Sequence, residues 1–217
     1  MSPLQILIAD DHELVRQGLR KVLEARPDWA ICGEARTGRQ AIEMAAQQRP
    51  DIVVMDIGMP ELNGLDATRE ILKARPQCEV LVLTMEDSEC VIRDVLAAGA
   101  HGYLLKTDTS QLLVSAIETL ATHKPFFTGC VAGIMLQGFL SPTLAAAAGV
   151  GAPRLSPRER QVVQLLAEGR ANKGVARSLH ISVKTVEAHR SNVMHKLGLH
   201  SIADLVRYAI RNRIIQA

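Results

Sequence analysis

Polar side chains follow four apolar runs in the first half of the sequence, at the point where each run ends. The runs occupy residues 4–9, 52–55, 80–83 and 102–105. The residues that follow them are, in order, Asp10 with Asp11, Asp56, Thr84 and Lys106. If the runs are parallel strands of one sheet, their carboxyl ends meet at the edge where such sheets bind ligands. The sequence therefore predicts a site made of three carboxylates, one hydroxyl and one ammonium group.

Three carboxylates at one sheet edge need a counter-charge. Two of them about 4 Å apart repel by roughly 4 kcal/mol at an effective dielectric constant of about 20, so a proton or a cation must relieve the repulsion. A donor set of oxygen atoms favours Mg²⁺, which often bridges to a phosphate. Asp56 could then attack a phosphoryl donor and form an aspartyl phosphate. Mg²⁺ and Lys106 would supply positive charge, and Thr84 would donate a hydrogen bond.

Each of these residues also has an ordinary structural interpretation. Asp10 and Asp11 could cap the helix that follows them, and Asp56 could lie in a turn. Lys106 could be a solvated surface lysine. Taken singly, these interpretations would be preferred, but the convergence of all the residues on one edge favours a functional site.

The elements that position these residues alternate in type. We expect strands at 4–9, 30–35, 52–55, 80–83 and 102–105. Helical periodicity predicts a helix that ends near residue 25 and further helices at about 38–47, 65–74, 88–98 and 110–121. Apolar strands that alternate with helices predict a parallel sheet covered on both faces.

The composition is that of an ordinary globular chain. Of the 217 residues, 47% are hydrophobic and 22% are charged, which argues against a disordered protein and suits two domains. The four cysteines lack the CxxC spacing of zinc and redox sites, and the N-terminus lacks the pattern of a secretory signal. We therefore expect a reduced, cytoplasmic protein without a zinc site.

A segment without charged residues, 125–153, divides the chain. Its glycines and proline predict a linker, within which one short helical stripe is conceivable, formed by Phe127, Val131, Ile134 and Met135. A membrane span needs about 20 unbroken apolar residues, and polar or helix-breaking residues interrupt this segment. We expect it to pack either on a domain or at a dimer contact, and no contact with a membrane.

The two ends of the chain carry opposite charge. Residues 154–217 contain twelve Lys or Arg and four Asp or Glu, a net charge of +8, whereas residues 1–153 contain thirteen and nineteen, a net charge of −6. A basic domain beside an acidic one indicates a polyanionic partner, although chance segregation of surface charge would look the same. Periodicity predicts four helices after residue 154, beginning near Pro157, Lys173, Val183 and Ile202.

The third of these helices has two distinct faces. Val186, Val193 and Leu197 share one face, and small, polar or basic residues occupy the other. Such a helix suits the major groove of DNA, although an ordinary amphipathic helix has the same pattern. The candidate phosphate contacts are Lys173, Lys184, Thr185, His189 and Lys196.

Several motifs of the first domain resemble those of the response-regulator receiver domain. They are Asp10-Asp11-His12, residues 55–60 (MDIGMP) followed by Asn63-Gly64, Thr84, and residues 102–106 (GYLLK). The resemblance covers about residues 3–122 and implies a flavodoxin-like (βα)5 fold. It implies that Asp56 is phosphorylated, that Asp11, Asp56 and the Gly58 carbonyl hold Mg²⁺, and that Asp10 acts nearby or through water. Thr84 and Lys106 would sense the phosphate, and Tyr103 would be the aromatic switch that turns inward.

The first domain departs from common receivers at two places. Thr107 follows Lys106, where many receivers have a proline, so no cis peptide bond is expected. Gly58 has no side chain and Glu86 is acidic, and both lie near the path of a hydrolytic water.

The second half resembles the LuxR-type helix-turn-helix domain over about residues 153–215. The motifs are residues 155–160 (LSPRER), 165–169 (LLAEG), 181–190 (ISVKTVEAHR) and 196–198 (KLG). The resemblance implies that Glu187, Ala188 and Ser191 lie nearest the base edges and that the last helix contributes to a dimer. The angle of Arg190 on its helix predicts an ion pair, with Glu159 as the candidate partner. Gly174 stands where the family usually has glutamate, at a cost of about 1 kcal/mol in helix stability.

The whole chain resembles the NarL/FixJ response regulators. The expected domains are a receiver at 1–124, a linker at 125–153 and an all-α, four-helix DNA-binding domain at 154–217. A histidine kinase would phosphorylate Asp56, and a homodimer would bind DNA; RNA polymerase is a further candidate partner. Two alternatives stay open at this point: a Mg²⁺-dependent phosphohydrolase, for which Gly58 supplies no acid or base, and a constitutive DNA-binding protein.

Overall fold

The computed structural model describes residues 3–86, 88–108, 110–127 and 155–215. Residues 3–127 form an α/β unit with a parallel six-stranded sheet in the order β2-β1-β3-β4-β5-β6. The strands are β1 (Leu4–Ala9), β2 (Trp29–Ala35), β3 (Ile52–Asp56), β4 (Glu79–Thr84), β5 (Gly102–Leu105) and β6 (Phe126–Phe127). The helices between them are α1 (Glu13–Leu23), α2 (Gly38–Gln48), α3 (Gly64–Ala74), α4 (Glu89–Ala97) and α5 (Ser110–Leu120). The predicted alternation of strands and helices is confirmed.

The central strands are apolar along their whole length because helices cover both faces of the sheet. Every residue of β3 and β4 is buried. The strand register pairs Ala9 with Met55, Asp56 with Leu83, and Thr84 with Leu105. The carboxyl ends of four strands therefore lie side by side at one edge, where the polar residues follow.

The sixth strand differs from the sequence-based expectation. Phe126 and Phe127 pair with β5 as a short parallel strand, whereas the sequence placed Phe127 in a linker with a helical stripe. A strand of two residues has no periodicity that could reveal it. The other members of that stripe, Val131, Ile134 and Met135, lie outside the described residues.

Residues 155–215 form a unit of four helices, as predicted. They are α6 (Pro157–Ala167), α7 (Asn172–Leu179), α8 (Val183–Leu197) and α9 (Ile202–Arg211). Serine side chains accept backbone hydrogen bonds at three of the four N-termini, and Ser156 forms a complete capping box with Glu159. The helices enclose an apolar core that includes Val162, Val175 and Val186.

Two smaller expectations concern the backbone and the membrane. The described residues contain no cis peptide bond, so the bond between Lys106 and Thr107 is trans, as expected. Among the described helices, none combines the length and the apolar character that crossing a bilayer requires.

Candidate functional site

The sheet edge brings the predicted acidic residues and Lys106 together. Lys106 Nζ lies 2.7 Å from Asp10 Oδ2 and 3.0 Å from Asp56 Oδ1. Asp10 and Asp56 are buried, with 1% and 2% of their surface exposed. Two buried carboxylates on one ammonium group form an ion-paired centre that keeps a net negative charge, which a cation could neutralise.

The acidic residues could share one metal ion. Asp10, Asp11, His12 and Asp56 each offer a ligand atom, and these atoms all lie within 4.8 Å of one another. Asp56 Oδ2 is buried and accepts no hydrogen bond. A buried, unpaired carboxylate oxygen beside other oxygen donors fits Mg²⁺. Gly58, the fourth predicted ligand, lies two residues beyond Asp56 in the loop after β3 and is half-buried.

The electrostatics of the pocket follow from burial. Loss of hydration raises the pKa of Asp56, Lys106 opposes that shift, and the neighbouring Asp10 and Asp11 add to it. Burial alone would lower the pKa of Lys106. Its hydrogen bonds to Asp10 and Asp56 and their negative charges outweigh burial, so the pKa of Lys106 is raised. The charged form of the lysine is therefore favoured, whereas ionisation of Asp56 costs more than in a solvated carboxyl, a cost that a bound cation would reduce.

Thr84 and Tyr103, the predicted sensing and switch residues, meet at the loop that follows β4. Thr84 Oγ1 accepts a hydrogen bond from the backbone N–H of Glu86 at 3.1 Å. The Tyr103 hydroxyl donates to the carbonyl oxygen of Glu86 at 2.7 Å, and the Tyr103 side chain is buried. Thr84 and Tyr103 thus both hydrogen-bond to the backbone of Glu86, so a movement of Thr84 would change the contacts of Tyr103.

The Asn63-Gly64 pair places α3 directly against the end of β3. The Asn63 side chain caps α3 by accepting a hydrogen bond from Asp66 N at 2.9 Å. A Cβ atom on Gly64 would lie 1.8 Å from the carbonyl oxygen of Asp56. Only glycine allows the helix to begin this close to the residue predicted to be phosphorylated.

Sequence reasoning missed two residues of the site. His12 Nδ1 lies 2.8 Å from Asp11 Oδ1, and His12 N donates to Asp10 Oδ1 at 2.8 Å. Arg16, only 1% exposed, donates through Nη1 to the Asp10 carbonyl oxygen at 2.9 Å. The adjacency of His12 to the two aspartates was a usable signal, whereas nothing in the pattern of α1 marks an arginine as buried.

In the helical unit, α8 presents the predicted polar face to solvent. Val186 and Val193 are buried, and Leu197 is half-buried. On the opposite face Lys184, Ala188 and Ser191 are exposed, and so is Glu187 beside them. The candidates Thr185 and Lys196 are also exposed, but they lie at the side of the helix. Lys173 on α7 is also exposed, and His189 is half-buried. The division of the helix into two faces is confirmed, and contact of these residues with DNA stays a prediction.

One ion pair differs from the expectation for α8. Lys196 Nζ lies 2.9 Å from Glu159 Oε2, so Glu159 pairs with Lys196 rather than with Arg190. Hydrogen bonds from the Ser156 backbone and from Lys196 lower the pKa of Glu159. Lys196 reaches α6 because it stands in the last turn of α8, where its long side chain can cross to the neighbouring helix. A phosphate contact by Lys196 would compete with this pair.

Two family models match the chain. The response regulator receiver domain matches residues 6–118, and the luxR family of bacterial regulatory proteins matches residues 153–209. The two matches cover the sheet edge with its acidic pocket and the four helices with the exposed face of α8.

Curated and solved proteins are similar over nearly the whole length. The oxygen regulatory protein NreC of Staphylococcus carnosus is 36% identical over 215 residues, which cover 98% of this chain and 99% of NreC. A structure of the RcsB response regulator of Salmonella typhimurium is 28% identical, with a TM-score of 0.58 and coverage of 96% of this chain and 98% of RcsB. A complex of RcsB with DNA is 27% identical, with a TM-score of 0.57 and coverage of 95% and 98%.

Proposed function

The chain belongs to the response regulators that join a receiver domain to a LuxR-type DNA-binding domain, and from that premise we propose that phosphorylation of Asp56 controls its binding to DNA. The observation that carries the proposal is the pocket in which Lys106 Nζ lies 3.0 Å from Asp56 Oδ1 while Asp56 Oδ2 has no hydrogen-bond partner. One oxygen is held by a cation, and the other is left for a metal ion or a phosphoryl group.

In the proposed reaction, a carboxylate oxygen of Asp56 attacks the phosphorus of a phosphohistidine or of a small phosphodonor. The bond from phosphorus to the donor breaks, and the leaving group departs with its electron pair. Asp10, Asp11, Asp56 and the Gly58 carbonyl would hold Mg²⁺, which supplies positive charge to the transferred phosphoryl oxygens. Lys106, whose Nζ lies 2.7 Å from Asp10 Oδ2 and 3.0 Å from Asp56 Oδ1, would supply a second positive charge.

The signal would leave the pocket through the loop after β4. In this proposal the hydroxyl of Thr84 exchanges its bond with the Glu86 N–H for a bond to the phosphoryl group. Tyr103 holds the carbonyl of the same residue, so the loop and the buried tyrosine shift together. The phosphorylated state is favoured only to the extent that these contacts differ between the two states.

The second domain would act on transcription. We propose that α8 enters the major groove, with Glu187, Ala188 and Ser191 at base edges and Lys184 at a phosphate. A homodimer would bind paired half-sites, a sensor histidine kinase would donate the phosphoryl group, and RNA polymerase would be the machinery that the bound regulator influences. We expect the protein to act in the cytoplasm, where it would meet DNA and RNA polymerase.

The protein would receive a phosphoryl group without acting as an efficient phosphatase. Gly58 stands two residues after Asp56, where an acid or base would be needed for rapid hydrolysis of the aspartyl phosphate. We expect at most slow self-dephosphorylation.

The assignment of Asp56 is tested by labelling the full chain with acetyl phosphate in the presence of Mg²⁺. We expect the wild type and Asp28→Asn, which alters an exposed acid outside the pocket, to gain one phosphoryl group by intact-mass spectrometry. Asp56→Asn should gain none, because an amide oxygen is a poor nucleophile. Labelling of Asp56→Asn at the wild-type level would overturn the assignment.

A further inference from the structure

Arg16 is a buried cation at the base of the acidic pocket. It lies on α1, and its side chain is 1% exposed. A fully buried arginine is rare, because a guanidinium group loses its hydration and must be repaid by hydrogen bonds or charge. Its partners therefore indicate what it does.

The guanidinium group of Arg16 joins the backbone of the pocket to two glutamates. Nη1 donates to the carbonyl oxygen of Asp10 at 2.9 Å, Nε donates to Glu34 Oε2 at 3.2 Å, and Nη2 donates to Glu13. The Asp10 carbonyl belongs to the peptide bond that leads into Asp11. Arg16 thus fixes the orientation of the peptide plane between the first two predicted ligands.

The other groups of Asp10 are held as well. Its backbone N–H donates to Ala35 O at 3.1 Å, and its side chain accepts from His12 N and pairs with Lys106. The Asp10 carbonyl oxygen is the remaining backbone group of this residue, and Arg16 satisfies it. Without Arg16, the peptide plane between Asp10 and Asp11 could rotate about the single bonds on either side of it, Cα–C of Asp10 and N–Cα of Asp11.

The charge of Arg16 is balanced within a network of three arginines and three glutamates, in which Arg20 also pairs with Glu24. Glu34 also pairs with Arg20, and Glu13 also pairs with Arg36 at 3.2 Å. Partial burial would raise the pKa of Glu34, but hydrogen bonds from Arg20 and Arg16 lower it. Because this network satisfies Arg16, its contribution to the aspartates is geometric rather than a neutralisation of their charge.

We propose that Arg16 is a positioning residue for the divalent cation, because it holds the Asp10–Asp11 peptide in the orientation in which both carboxylates can reach one ion. The inference rests on the proposed function, in which that cation supports phosphoryl transfer to Asp56. Hydrogen-bond partners of ligating groups commonly change metal affinity by about 10–100-fold when they are removed.

The test is the affinity of the full-length chain for Mg²⁺, measured by isothermal titration calorimetry without phosphodonor. We expect Arg16→Gln to raise the dissociation constant roughly tenfold. Arg16→Lys keeps the positive charge but cannot span the carbonyl and both glutamates, so it should also weaken binding. The matched control is Arg20→Gln, which removes an arginine from the same network without touching Asp10, and its affinity should stay within about twofold of the wild type.

The outcomes separate geometry from charge and from folding. Tighter Mg²⁺ binding by Arg16→Gln would indicate that Arg16 acts by repelling the cation, and it would overturn the inference. Unchanged affinity in both Arg16 variants, with only a lower melting temperature, would also overturn it, since this is the result of a purely structural role. If Arg16→Gln does not fold, the affinity of Arg16→Lys for Mg²⁺ tests the inference in its place: weaker binding than the wild type supports it, and unchanged binding overturns it. Failure of the wild type to bind Mg²⁺ at all would instead refute the metal role in the proposed function.

Discussion

Asp56 combines two demands that oppose each other. As the proposed nucleophile it must be ionised, but burial beside Asp10 and Asp11 raises its pKa and disfavours the ionised form. Lys106 offsets part of that effect at 3.0 Å. A further positive charge in the pocket would favour the ionised, reactive form, so binding of a divalent cation would make Asp56 a better nucleophile.

The raised pKa of Asp56 predicts a pH-dependent gain in stability for Asp56→Asn without Mg²⁺. A carboxyl whose folded-state pKa is raised destabilises the folded state once it ionises, that is, as the pH rises above its unfolded value near 3.8. The shift already includes the attraction to Lys106, so the protein with the neutral amide should be more stable than the wild type at pH 7. At pH 3, the Asp56 carboxyl of the wild type is neutral, as is the amide of Asp56→Asn, so the difference in the free energy of unfolding between the two proteins should vanish.

Chemical denaturation of the two proteins at pH 7 and pH 3 in EDTA measures this difference, and a repeat with Mg²⁺ provides the control. The cation favours the ionised wild type and should reduce or reverse the gap at pH 7. Equal stability of the two proteins in EDTA at pH 7 would contradict the prediction, because it would mean that burial does not disfavour the charge on Asp56.

At the scale of elements, strand ends and helix starts form the pocket. The end of β3 supplies Asp56, and α3 begins at Gly64 with no space for a Cβ atom between them. The packing is tight because Asn63 caps α3 at the point where the chain returns to the sheet. A change in the first residue of α3 should therefore act directly on Asp56, the proposed phosphoacceptor.

Gly64→Ala is expected to destabilise the receiver domain and slow the phosphorylation of Asp56. The new methyl group would lie 1.8 Å from the Asp56 carbonyl oxygen, so the backbone must move, at a cost of about 1–3 kcal/mol. Gly18→Ala is the matched control, because that position on α1 has nothing within 4 Å and should gain about 0.5–1 kcal/mol. Thermal denaturation measures the change in stability, and labelling with acetyl phosphate measures the rate of phosphorylation. An unaffected labelling rate in Gly64→Ala would refute the close contact between Gly64 and Asp56.

Elements with strong local patterns could be predicted from the sequence, and weakly patterned ones could not. The apolar runs before Asp10, Asp56 and Lys106 identified three strands and the edge at which their ends meet, because hydrophobic periodicity reports burial directly. Arg16 was missed because its burial depends on the Asp10 carbonyl oxygen at the end of β1 and on Glu34, which is 18 residues away in sequence. β6 was missed because pairing with β5, not local preference, defines a strand of two residues.

At the scale of the whole molecule, the chain separates its two tasks by charge. The acidic pocket is in the α/β unit, and residues 154–217 carry a net charge of +8 from twelve basic and four acidic residues. Phosphate contacts with DNA release condensed counterions, so affinity falls as salt rises. The basic half of the chain is thus suited to a strongly salt-dependent interaction with DNA.

Lys184→Ala should weaken DNA binding and make it less dependent on salt. Lys184 is exposed on the polar face of α8, and loss of one phosphate contact should reduce the slope of log affinity against log salt concentration by about 0.9. Lys73→Ala removes an exposed lysine from α3 of the receiver domain and should leave the slope unchanged. Fluorescence anisotropy with a labelled duplex at several salt concentrations, with and without acetyl phosphate, measures both variants. If Lys184 contacts a phosphate, Lys184→Ala should show the smaller slope in every phosphorylation state that binds DNA. A slope equal to that of the wild type would mean that Lys184 faces solvent in the complex.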